Sequence, residues 1–207
     1  MSRSDRLRSL VRRVGDQAQR AITSGPVATA RKFLNEVAQR QARVPAEALT
    51  RTLAHAEGVR EASAACEGGR VHIDATFDDG SHVQLGLVPW DVRFAPRGAK
   101  ELVFRVEPAS MGRERHVPEL VAAVATVVAH ALWSVALGGA RPDSRGVFVD
   151  KEADDLFRVD LRNVPALRAR MATSGVAAMV EAVALGNLQA EDGVLALTLE
   201  LPGLTTR

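Results

Sequence analysis

The side chains in this 207-residue chain with most scope for chemistry are five histidines, one cysteine and two tryptophans. His72 and Asp74 stand two apart in the run Arg70 to Phe77, where apolar and polar residues alternate, so both point from the same side of a strand. His82 follows the tight reversal Asp78-Asp79-Gly80-Ser81 and would face them across a hairpin. Such a trio suits a small metal site or an acid–base pair. The simpler reading is the solvated face of an antiparallel sheet, and that reading is preferred. His130 interrupts a long apolar segment, where it would either meet a polar headgroup or bond a nearby acceptor as buried polar groups do.

Cys66 sits beside Glu67 with no basic neighbour to favour the thiolate, so it reads as structural. A single cysteine also excludes an intrachain disulfide and a cysteine-based metal cluster. Trp90 and Trp133 suit a ligand groove, a membrane interface or plain core packing. The chain carries no nucleophile elbow, phosphate loop, dinucleotide fingerprint or zinc-protease motif. The expectation is therefore a protein that is not an enzyme and needs no cofactor.

The elements that would position these residues come in a clear order. Alternation predicts strands near 59–66, over 71–77 and over 83–87; Pro89 breaks the run, and Trp90 to Phe94 form a further strand. Pro96-Arg97-Gly98 turns the chain into a strand from Leu102 to Val106, completing a meander of four or five strands with one apolar face. Val117 to Leu137 reads as one very apolar helix, opened by Pro118 and ended by Gly138-Gly139. Its length would just cross about 30 Å of hydrocarbon. The flanking strands need a cover for their apolar faces, which favours burial in protein. Short strands at 147–149 and 157–161, a helix over about 165–172 and a hairpin turning at Glu191-Asp192-Gly193 complete the chain.

Ahead of the strands lie three expected helices, over about 4–22, 26–41 and 45–57. The first carries Arg6, Arg8, Arg12, Arg13 and Arg20 around an apolar stripe, a pattern suited to an anionic membrane surface. Residues 1 to 43 hold ten basic and three acidic residues, so the basicity of the chain is concentrated there. Only three basic residues are lysines, and this arginine bias is read as genome composition; no nucleic-acid partner is expected. No secretory leader is recognisable, because arginines interrupt every apolar run near the start. That predicts a protein in the cytoplasm or peripheral on the cytoplasmic face of a membrane.

The order EGGRVHIDATF, FRVEP, the long apolar helix, VDLRNVPALRARM and ALGNLQAEDGVLALTLEL resembles small bacterial lipid-binding proteins of the TULIP type over about residues 58 to 201. The resemblance implies an α+β fold in which a curled antiparallel sheet wraps a long apolar helix and leaves an apolar groove for acyl chains. Here amphipathic helices over 1–57 would precede a lipid-binding domain over 58–207. Under this reading Ile73, Phe77, Leu85, Trp90, Phe94, Leu102, Phe104, Val124, Val127, Val128 and Leu132 line the groove, and the partner is a lipid or another apolar small molecule. The alternative expectation is an interaction protein with a dry core that recruits a partner through its N-terminal helices.

Overall fold

Period-two alternation accounts for most of what the chain builds. The computed structural model describes residues 41–108, 114–137, 141–172, 176–177, 180–181 and 183–200. The two helices expected before residue 41, with Arg6, Arg8, Arg12, Arg13 and Arg20, lie outside the described residues.

Two antiparallel sheets and three helices form an α+β body. The first sheet has the order β1 (Gln41–Pro45), β9 (Val194–Glu200), β8 (Ala184–Glu191). The second has the order β2 (Val59–Glu67), β3 (Arg70–Phe77), β4 (His82–Phe94), β5 (Lys100–Pro108), β7 (Leu156–Asp160), β6 (Asp150–Lys151). The helices are α1 (Ala46–Leu53), α2 (Val117–Leu137) and α3 (Pro165–Met171).

β3 shows the principle most simply. Val71, Ile73, Ala75 and Phe77 are buried, while the residues between them stay half-buried on the other face. Side chains alternate across a strand, so one face joins the core and the other meets water. Most of the buried apolar residues of both sheets and of α1, α2 and α3 belong to one continuous cluster. Burying each large side chain contributes roughly 1.5–3 kcal/mol to folding.

Three sequence expectations change. Gln41, expected on a helix face, opens β1, whose Ala42 and Val44 are buried against β9. Alternation of exposed and buried residues over 41–45 is the strand signal that the helical pattern obscured. Pro89 does not end a strand: β4 runs on to Phe94 through an irregularity in register, with Pro89 opposite Phe104 and Asp91 opposite Val103. Trp90 is thereby left over as a bulge residue, and a bulge is a place where a strand tolerates proline. Val147 and Val149 form no strand, because β7 offers a partner only to Asp150 and Lys151.

The expected division after residue 57 falls between two elements that pack on each other. Thr50 of α1 accepts the Ala64 N–H of edge strand β2 at 2.9 Å, and Leu49 and Leu53 enter the common core. At the β8–β9 turn, Gly193 adopts φ 76°, open to glycine at little cost, and donates its N–H to the Cys66 carbonyl at 2.8 Å. These contacts tie the edge of β2 to α1 and to the closing hairpin.

α2 is long and apolar enough to cross a bilayer, yet 78% of its first 18 residues, Val117–Ser134, are buried inside the protein. Its helical geometry breaks once, at Trp133, where φ is −124° and ψ 28°.

Candidate functional site

Ten of the eleven residues expected to line a groove between sheet and helix are core residues. Ile73, Phe77, Leu85, Phe94, Leu102 and Phe104 from the strands, and Val124, Val127, Val128 and Leu132 from α2, are each at most 6% exposed. They pack in the same cluster, with the Phe94 ring stacked on Trp133 at 5.8 Å between centroids. Trp90 is the exception and corrects the expectation: the bulge turns it out of the core, where it is 51% exposed beneath the Arg105 guanidinium, 3.2 Å from the ring centroid. Cation–π stacking accounts for its position on a wet face.

The histidine trio is similarly solvated. Asp74 accepts from the Gln84 amide at 2.6 Å and lies 3.7 Å from His82, whereas His72 approaches Glu67 at 3.8 Å. The histidines therefore turn to different acceptors, and all three side chains of the trio are 44–51% exposed. Among the described residues no group of three potential ligands is placed to hold a metal ion. Cys66 is buried, and desolvation pushes its thiol up to about 11, which leaves it inert as a nucleophile.

Lys100 is fully buried, and its Nζ donates to the carbonyls of Ala95 and Val183 while lying 5.0 Å from the centre of the Phe94 ring. Burial lowers its pKa. With two carbonyl acceptors and an aromatic face it has the partners that a buried ammonium requires.

Open space lies elsewhere. A cleft of about 430 Å³ is bounded by α1, by α2 and by the loop that follows α2. Ala48, Val127 and Pro142 give it apolar walls; Arg51, His55 and Arg141 stand around it. Ala48, Arg51, Thr52 and His55 share one side of α1 and of the turn after it, at helical spacing i, i+3, i+4, i+7. Thr52 donates its hydroxyl to the Ala48 carbonyl at 3.0 Å, so that donor is already engaged within α1. His55 Nδ1 lies 2.6 Å from the Arg51 carbonyl oxygen, an acceptor, so Nδ1 carries the hydrogen and Nε2 remains for the cleft. Val127 alone among the expected groove residues also borders this cleft.

No model of a known protein family, no curated protein and no solved structure matches this chain. Its site must be read from its own side chains.

A second, smaller cavity of about 270 Å³ lies beside the first turn of α2, between Glu119 and the loop segment Ser144–Val149. Three buried polar atoms on α2 have no hydrogen-bond partner among the described residues: Glu119 Oε2, His130 Nε2 and Trp133 Nε1. Burial lowers the His130 pKa, because a cationic ring there would lose its hydration without gaining a partner. The sequence expects His130 to bond an acceptor, and among the described residues its Nε2 meets none.

Sequence reasoning singled out neither Arg51 nor Arg141, and it treated His55 as one of several scattered histidines. The available signal is the second face of α1: Leu49, Leu53 and Ala56 enter the core, while the adjoining Ala48, Arg51 and His55 border the cleft.

Proposed function

We propose that this chain binds a small amphipathic, lipid-like molecule without transforming it, and that the ligand sits in the cleft between α1 and α2. The observation that carries the reading is the cleft itself. At about 430 Å³ it is in the size range of small-molecule sites, roughly 300–1,000 Å³, and it joins an apolar wall from the central helix to a polar rim.

The TULIP-like arrangement, with a curled sheet wrapped round the helix, would put an acyl chain between sheet and helix instead. Burial of Ile73, Phe104 and Leu132 at that interface favours the α1–α2 cleft. An apolar ligand gains by displacing loosely held water from such walls, whereas entry into a filled core would require its side chains to separate.

Octanol, which has an apolar tail and no charge, tests the apolar half of this reading. Calorimetric titration should show saturable binding, and Ala48→Phe, which puts a ring into the cleft, should weaken it by about tenfold or more. Octanol that fails to bind, or binds the variant equally well, would leave the dry-core interaction protein as the better description.

A further inference from the structure

We infer that the cleft between α1 and α2 recognises its ligand by an acidic group, a carboxylate or phosphate, held by Arg51 and Arg141 with His55 beside them. The inference rests on the proposed binding function and names the chemical class of the ligand's polar end.

Among the described residues, these two arginines combine the lack of an ion pair with a place on the cleft. Arg70 binds Glu107, Arg145 binds Asp143, Arg162 binds Asp160, and Arg93 and Arg158 share the carboxylates of Glu101 and Glu152. Arg51 and Arg141 have no carboxylate partner among the described residues, although both are exposed and border a cavity. Arg43, Arg60, Arg97 and Arg168 also lack one among the described residues, but they border neither cavity described above.

The local geometry leaves the guanidinium of Arg51 able to act. Its Nε donates to the Glu47 carbonyl at 3.3 Å, which fixes the side chain along α1 while leaving both terminal nitrogens for a ligand. The same helical turn fixes His55 through Nδ1. Among the described residues no carboxylate side chain lines the cleft, so the charged groups of its lining are cationic. Planar guanidinium groups match the two oxygens of a carboxylate or phosphate, and two of them lining one cleft favour an anion over a neutral hydroxyl. The apolar walls then select for anions that bring a hydrocarbon portion.

The smaller cavity offers the opposite charge, since Glu57 and Glu119 line it while its Arg145 is engaged by Asp143. Of the two cavities described above, the α1–α2 cleft is the one whose lining suits an anion.

The test compares octanoate, octyl phosphate, octanol and inorganic phosphate by calorimetric titration of the full chain. Octanoate and octyl phosphate should bind about tenfold or more tightly than octanol, as expected for charge-assisted hydrogen bonds. Arg51→Gln and Arg141→Gln should each weaken octanoate and octyl phosphate binding far more than octanol binding, and so remove most of that preference. Equal affinity for octanoate and octanol, or variants that keep the preference, would overturn the acid assignment while the apolar binding function stands. Inorganic phosphate bound as tightly as octyl phosphate, and lost in both variants, would support the acid assignment and overturn the lipid-like function. Failure of all four probes would overturn both.

Discussion

The core between strands and α2 and the cleft between α1 and α2 share a helix but differ in how they are closed. In the core, side chains from two sheets meet the helix with Phe104, Leu102, Leu120 and Val128 wholly buried. At the cleft, one short helix and an irregular loop meet the same helix, and small side chains such as Ala48 leave space between them. A sheet supplies a regular grid of side chains that can fill every gap. A two-turn helix and a loop cannot, so space for a ligand collects where the regular cover ends.

That contrast is easiest to break from the core side. Phe104→Ala should lower the free energy of unfolding by about 3–5 kcal/mol, the usual cost of removing a buried aromatic ring, as urea denaturation would measure. Its octanol affinity should stay at the wild-type value; a parallel loss of binding would mean that core and cleft are one site.

An intermediate effect should come from His130, whose buried Nε2 has no partner among the described residues. Its folded pKa lies below the ordinary imidazole value, so the unfolded chain takes up the proton first as pH falls. Stability from keeping this ring neutral is complete above about pH 6.5 and declines below it. Denaturation at pH 8 and pH 5 should therefore show a loss in the wild type that is smaller in His130→Leu. An identical loss in both proteins would assign the acid sensitivity to other groups.

The smallest stability effect belongs to the cleft. Ala48→Phe should change unfolding free energy by less than about 1 kcal/mol, chiefly through helix propensity, although it blocks the ligand. A cost as large as that of Phe104→Ala would show that the space is filled in solution and that no cleft is available.

Much of this was legible in the chain. Alternation identified β3, the first half of β4, β5 and the closing hairpin, and the run from Val117 to Leu137 identified α2, because each pattern reflects a face that must leave water. β1 was hidden because five residues support both a strand and the end of a helix, and only its pairing with β9 decides between them. Trp90 was misplaced for a different reason: strict alternation puts it inward, and one extra residue at the Pro89 irregularity reverses that assignment. Ten groove residues were correctly read as apolar and inward-facing, but hydrophobicity alone does not distinguish a filled interface from an open one. The cleft escaped notice because α1 and residues 141–142 are far apart in the chain, and nothing in either stretch announces that they meet across α2.

The bond between Thr50 and Ala64 gives α1 a second duty. β2 is the outermost strand of its sheet, and its free edge would otherwise offer unpaired backbone groups to another chain. The Thr50 hydroxyl occupies part of that edge, so the wall of the cleft is also a guard against strand-to-strand self-association. Any molecule large enough to push α1 outward would uncover the Ala64 amide, making its hydrogen exchange a local gauge of how far the cleft has opened and tying ligand size to solubility.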